Sequence, residues 1–222
     1  MFAHSSKDRL TTYDLDRFPG ETLFSRIARA VCQAGCLPRK ELYEAWEVAR
    51  RTRRRFRSGH VVDLAAGHGL LAQVMLLLDN SSPEAVAVDQ AMPPSSAKLH
   101  AVLVADWPRL EGRVRFVTAP IEQVALAPTD VVVASHACGA LTDHVLDLAA
   151  AAHARVAVLP CCHDLDTCDT GGLEGWMDAA LAIDAVRATR LRQRGYQVWT
   201  QNIPSDITPK NRLLIGQPTS IG

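Results

Sequence analysis

The sequence has no net charge to spare: 24 Lys and Arg balance 24 Asp and Glu over 222 residues. That balance argues against a protein that coats nucleic acid through its overall charge, though it leaves room for a local basic patch. Long hydrophobic runs are missing too. The apolar stretch Val74–Leu78 is far below the roughly 18 consecutive apolar residues that a membrane span needs. Aromatic residues are scarce, with three Tyr and five Phe, so single-stranded bases would find few stacking platforms. The opening MFAHSSKDRLTTYD lacks an apolar stretch after its charges, which argues against a secretory leader. The six cysteines therefore read as thiols in a reducing compartment, and a cytoplasmic location is expected.

Two helices are predicted first, after a polar and loose opening dozen residues. Glu21–Gly35 carries an apolar stripe of Leu23, Phe24, Ile27, Ala28, Val31 and Cys32. A second helix runs from Pro38 to Phe56 and ends in Arg50, Arg51, Arg53, Arg54, Arg55 and Arg57. Cations suit a helix C-terminus, but the dipole accounts for only a few of them. From residue 60, short apolar runs alternate with helical segments. The runs are Val61–Leu64, Ala85–Asp89, Val114–Val117, Asp130–Ser135 and Arg155–Leu159; the helices fall near 69–79, 95–106, 141–152 and 173–194. Continuous apolar strands alternating with helices predict an α/β fold, a doubly wound and mostly parallel sheet buried on both faces. Tyr196–Ile203 and Asn211–Gly216 have too short a link for a crossover helix and should pair antiparallel. The expected organisation is an N-terminal helical extension over 1–58, with a basic end, and a cofactor-binding domain over 59–222.

The segment VVDLAAGHGLLA, Val61 to Ala72, reads as strand, glycine turn and helix. Gly67 suits the sharp turn, and Gly69 suits close approach of the backbone to a ligand. Asp89, 22 residues after Gly67, ends the next strand, where a carboxylate can accept from both hydroxyls of a ribose. G-x-G-x-x-A also fits a dinucleotide. Asp63 weighs against it, because a carboxylate beside a diphosphate is unfavourable, whereas the sulfonium and ammonium of S-adenosylmethionine suit it. The plain alternative is that Asp63 only caps the turn.

With these residues in place, 60–217 resembles the class I S-adenosylmethionine-dependent methyltransferases. Three further segments resemble the branch that holds the eukaryotic tRNA acceptor-stem ribose methyltransferases: SHACGALTD (135–143), LPCCH (159–163) and ITPKNR (207–212). The resemblance implies a seven-stranded Rossmann-like sheet of order 3-2-1-4-5-7-6, its final strand antiparallel. It implies a cofactor held by Asp63, Ala65, Gly67, Gly69, Asp89, Ala119, Ile121 and Ser135. The sequence departs from many class I enzymes after the third strand, where Thr118-Ala119-Pro120-Ile121-Glu122 offers no immediate acid for adenine.

Candidate chemistry converges after strands four and five, at His136, Cys138, Cys161 and His163. One reading makes His136 or His163 a general base for a hydroxyl or nitrogen acceptor. A second uses Cys138 and Cys161 as in RNA cytosine-C5 methyltransferases, with a thiolate activated beside histidine. A third is zinc on Cys161, Cys162, His163 and Cys168 with His136 and Cys138; adjacent cysteines rarely chelate one tetrahedral ion, so no metal is expected. Plain packing of small thiols is the remaining reading. Arg53, Arg54 and Arg57, with Lys210 and Asn211 in the last loop, are the candidate substrate contacts. The arginines favour an RNA acceptor, tRNA or rRNA. The alternatives are a protein or small-molecule acceptor, or a module that binds cofactor without catalysis. No membrane partner is expected, and the sequence does not fix an oligomeric state.

Overall fold

A computed structural model describes residues 3–219. Thirteen regular elements follow one another along it. They are α1 (Leu23–Ala34), α2 (Arg39–Arg55), β1 (Val61–Leu64), α3 (Leu70–Leu78), β2 (Ala85–Asp89), α4 (Ser95–Asp106), β3 (Val114–Thr118), β4 (Val131–Ala134), α5 (Ala140–Ala151), β5 (Arg155–Val158), α6 (Ala179–Gln193), β6 (Tyr196–Asn202) and β7 (Arg212–Pro218). The seven strands form one sheet in the order β3-β2-β1-β4-β5-β7-β6. Strands β1 to β5 pair in parallel, while β7 lies antiparallel between β5 and β6. This is the doubly wound, Rossmann-like order that the resemblance implied.

β1 and β4 are wholly buried, which is why their sequences, VVDL and VVVA, are nearly unbroken apolar runs. One face of the sheet packs with α1, α2, α3 and α4: Ile27, Val31, Leu42, Val48, Leu71, Met75, Leu99 and Leu103 share a core. The other face packs with α5, through Val145, Leu146 and Ala149, and with α6 through Leu191. The two N-terminal helices therefore bury their apolar stripes in the same core as the sheet.

The structure corrects two expectations. Residues 6–10 are not loose: Leu10 is fully buried and its N–H donates to Leu37 O, while Arg39 N and Lys40 N donate to Asp8 O and Ser6 O. These bonds satisfy the orphan donors at the start of α2. The helix predicted over 173–194 starts only at Ala179. Gly171 and Gly172 have positive φ, and the Asp178 side chain accepts from Leu181 N as an N-cap. Among the described residues no helix is long and apolar enough to cross a membrane.

Candidate functional site

In a parallel sheet the loops after the strands meet at one edge, and the reactive groups of this fold gather there. A cleft of about 270 Å³ opens at that edge, lined by Ala65 and Gly67 after β1, Asp89 and Gln90 at the end of β2, Pro120, Ile121 and Glu122 after β3, and His136 and Leu141 after β4. A smaller cavity of about 10 Å³, room for about one water, lies beside it and shares His136. Its other walls include Glu41 from α2, His68 and Ser135.

The glycine turn is built as expected, but its two glycines do different work. Gly67 has φ +53° and an added Cβ would meet nothing within 4 Å, so it borders open space in the cleft wall. Gly69 has φ +70°, and a Cβ there would lie 2.7 Å from Phe116 Cε1 and 3.1 Å from Ala87 Cβ. Its smallness lets α3 approach β2 and β3; Gly69 does not line the cleft, which corrects its expected contact with a ligand. Gly69→Ala is expected to cost about 1–3 kcal/mol by overpacking, read by urea unfolding. Gly67→Ala should disturb ligand binding more than its neighbour does, because its methyl group enters the cleft.

Asp89 bridges the turn. Its Oδ2 accepts from Gly67 N at 2.8 Å and its Oδ1 from Ala91 N at 2.9 Å, which aims the carboxylate and leaves lone pairs toward the cleft. Asp63 sits behind, 1% exposed, where its Oδ2 accepts from Ala72 N and caps α3. Its Oδ1 has no hydrogen-bond partner among the described residues. Burial pushes the Asp63 carboxyl up to about 8, with Asp89 adding to the rise and the Ala72 bond opposing it. Asp63 therefore does cap the turn, and it also holds one buried acceptor atom in want of a donor. Ala119 and Ser135 do not line the cleft: Ala119 N donates to Asp89 O, and Ser135 faces the small cavity. Glu122, beyond the immediate position after β3 yet able to reach an adenine, does line the cleft, and Gln90, Pro120 and Leu141 are further walls that the motifs do not mark.

Of the four candidate catalytic residues only His136 reaches the cleft. Burial, then the positive charges of Lys40 and His68, lower its pKa to about 4, so the imidazole is neutral at physiological pH. His163 is a correction. Its Nε2 bonds Asp184 Oδ1 at 2.8 Å, and its side chain is 2% exposed. Asp184 also accepts from Arg212 Nε at 2.6 Å, so His163 braces the loop after β5 against α6 and β7 rather than facing an acceptor. Cys138 and Cys161 lie together, Sγ to Sγ 3.1 Å, but no bond joins either to a histidine among the described residues. Burial pushes both thiols up, so the expected thiolate activated by imidazole is absent.

Glu41 was missed. It lies on the first turn of α2, at the end of that helix opposite the arginines that drew the sequence reading. Its Oε2 is 3.9 Å from His68 Nδ1, and burial, with the charge of Glu44, raises its carboxyl to about 7. A Glu three residues before another Glu on an otherwise amphipathic helix was the available signal. Only the fold shows that this turn faces the reactive edge.

The substrate candidates are displaced. α2 has 17 residues, about 25 Å of helix, and carries Arg53, Arg54 and Arg57 to the opposite edge of the sheet, just before β1 begins. There Arg57 O accepts from Arg155 at the start of β5, and Ser58 N donates to Asp79 and Ser81 after α3. Arg53 is only 2% exposed; it donates to Met75 O and Ser82 Oγ and pairs with Asp79 at 3.3 Å. It holds the fold and is closed to a substrate. Arg54 and Arg57 are exposed but far from the cleft. Asn211 closes the β6–β7 hairpin, its Nδ2 donating to Ile203 O, and Lys210 is half-buried; neither lines the cleft.

Residues 40–167 match a family model described as a methyltransferase domain. No curated protein matches the chain. Among solved structures, an O-methyltransferase family protein from Burkholderia thailandensis is 20% identical at TM-score 0.54, covering 96% of this chain and 64% of its own. The S-adenosylmethionine-dependent methyltransferase SibL is 21% identical at 0.53, covering 95% and 66%. The tRNA methyltransferase TrmK of B. subtilis is 12% identical at 0.50, covering 78% and 66%. The chain thus spans just under two thirds of each of these proteins, and at such identities the likeness is one of fold.

Proposed function

This chain belongs to the methyltransferase-domain family, and on that premise we propose that it transfers a methyl group from S-adenosylmethionine to a hydroxyl or nitrogen acceptor. The observation that carries the reading is Asp89, a carboxylate fixed by Gly67 N and Ala91 N at the rim of a cleft at the ends of β1 to β4. A carboxylate at this point of a doubly wound sheet accepts from both hydroxyls of an adenosine ribose. Gln90, Pro120, Ile121 and Glu122 offer the adenine an apolar wall and polar edge groups, in place of the acid missing after β3. The unpartnered Oδ1 of Asp63 suits a cation. When bound, the cofactor supplies an electrophilic methyl on a positive sulfur. The chain aligns the acceptor with it and takes the acceptor's proton. His136, neutral and on the cleft wall, receives that proton on an unprotonated ring nitrogen, and Glu41, which lines the same small cavity as His136 and lies against His68, adds a negative charge nearby that favours the imidazolium when ionised.

Calorimetry with S-adenosylmethionine and its demethylated product tests the cofactor. Asp89→Ala should lose about 1.5–3 kcal/mol, roughly ten- to a hundredfold in affinity. Equal affinity in mutant and parent, or a preference for NAD, would sink the assignment. Because Asp63 is neutral below about 8 and a cation favours its charged form, binding should release a proton and tighten as pH rises from 6 to 8.

For the acceptor, the cleft's surroundings favour a small molecule over a polyanion. From Val156 to Val186, across β5 and the following loop, there is no Lys or Arg, while Asp164, Asp166, Asp169 and Glu174 crowd that loop. Four carboxylates near the reactive edge repel a phosphate backbone. RNA remains a second reading on one observation, the exposed Arg54, Arg55 and Arg57 at the far edge, which a duplex must wrap around the sheet to reach. Incubation with labelled cofactor and separate pools of RNA, protein and metabolites decides between them; label in RNA that is lost on Arg54→Gln/Arg57→Gln would restore RNA as the substrate.

A further inference from the structure

β4 and β5 are parallel neighbours, so the loops that leave them abut. Gly139 N donates to Cys162 O at 3.3 Å and ties one loop to the other. The contact brings Cys138 from the first loop against Cys161 and Cys162 from the second. Sγ of Cys161 lies 3.1 Å from that of Cys138 and 3.8 Å from that of Cys162, and all three sulfurs fall within 4.8 Å of one another. Bonds of about 2.3 Å to a tetrahedral zinc set sulfurs roughly 3.8 Å apart, so the triangle is already near the size that one ion requires.

The sequence argued against a metal because adjacent cysteines seldom chelate the same ion. The structure removes that objection. After β5 the chain from Leu159 to His163 is irregular, so Cys161 and Cys162 do not alternate across a sheet and their sulfurs approach each other. Nor do the thiols have another partner in the chemistry of the cleft: His163 is committed to Asp184, and all six cysteines are free.

The triangle is also braced from behind. Arg187, 1% exposed, donates to Gly139 O at 2.9 Å and to Asp143 Oδ2 at 2.7 Å, which fixes the loop that carries Cys138. Asp184, gripped by Arg212, fixes His163 next to Cys162. Ligands held by such outer contacts lose little freedom on binding an ion. No fourth His, Cys, Asp or Glu joins the group among the described residues, and Cys138 and Cys162 are exposed. Three protein ligands with one open position are the arrangement of a reactive rather than a closed structural zinc site.

We propose that Cys138, Cys161 and Cys162 together bind one thiophilic d¹⁰ cation, with zinc as the probe, and leave its fourth position open to solvent beside the cleft. On binding, three S–H bonds break, three metal–sulfur bonds form and three protons pass to solvent; no electron moves. The site is independent of the methyl-transfer reading, since it needs neither cofactor nor acceptor.

The test uses the full chain, purified under reductant and dialysed against zinc or cobalt. We expect about one equivalent of zinc by atomic emission and release of about three protons per ion. The cobalt form should show an intense near-ultraviolet thiolate-to-metal band. Cys138→Ser and Cys162→Ser should each bind tenfold more weakly or worse, while Cys36→Ser, whose thiol lies in the core by α4, should bind as the parent does. Absence of the cobalt–thiolate band in the reduced parent overturns the proposal whether or not the serine variants fold. Full metal retention in the Cys138→Ser/Cys161→Ser/Cys162→Ser variant overturns it as well. Cofactor affinity, measured on the same samples, reports separately on the methyltransferase reading.

Discussion

Arg53→Gln is expected to destabilise the protein by about 3–5 kcal/mol, the usual cost of breaking a buried ion pair from one side. That is a large share of a typical domain's stability of about 5–15 kcal/mol. The guanidinium is buried against Asp79, Ser82 and Met75 O, and the change takes the nearest cation from the 7%-exposed Asp79 carboxylate, leaving it the bonds from Ser58 and Ser81 and the exposed Arg57 at 3.8 Å. Arg54→Gln and Arg57→Gln, on the exposed face, should each stay within about 0.5 kcal/mol of the parent. Urea unfolding of the three variants separates them; an Arg53→Gln curve that overlays the parent's would show that the pair contributes nothing. The pair also sets an acid limit. Burial acts to raise the Asp79 carboxyl, but bonds from Ser81 and Ser58 and the Arg53 charge outweigh it and hold it below the ordinary carboxylate range. A lowered carboxyl contributes stability that is present above its unfolded pKa and is lost as pH falls through the folded value. The acid-unfolding midpoint should therefore shift up in Arg53→Gln.

His136→Ala is expected to lower turnover by about 10²–10⁴-fold while leaving cofactor affinity within a few-fold. The imidazole acts at proton removal, a contribution made only in the transition state. The pH profile distinguishes its role from that of Glu41. His136 is neutral above about 4, so its own titration lies below the working range. Glu41, raised to about 7, is charged only above that value, so turnover should climb through pH 7 to a plateau. Glu41→Gln should abolish that climb and leave a flat profile at the low-pH level. A parent profile with no limb near 7, or one that survives in Glu41→Gln, removes Glu41 from the mechanism. Cys161→Ser, by contrast, should form no less and no more covalent adduct with 5-fluorocytosine RNA than the parent, because neither thiol is activated by an imidazole.

Much of the fold was legible because its signals are local. Unbroken runs such as VVDL and VVVA mark strands buried on both faces, and the short link between β6 and β7 forces antiparallel pairing. The glycine turn and Asp89 were legible for the same reason: a sharp turn needs Gly67, and the acid sits at a fixed distance along the chain. By itself, then, the sequence determined the sheet, the family and the place of the Asp89 carboxylate on the cleft. Only the tertiary structure decided what each charge and thiol does. Arg53 and Arg57 are close in sequence, alike in chemistry and both within ion-pair reach of Asp79, yet one is sealed inside and the other is in water, because Arg53 lies on the buried face of α2 and Arg57 comes after the helix has ended. Glu41 gains its shifted pKa chiefly from burial in the packed fold, to which Glu44 on its own helix adds. Cys138 is 23 residues from Cys161, and their sulfurs meet only because β4 and β5 are hydrogen-bonded neighbours. Burial and long-range juxtaposition arise from chain crossings that no local pattern encodes, and they shift Glu41, Asp63 and His136 from their ordinary ionisation.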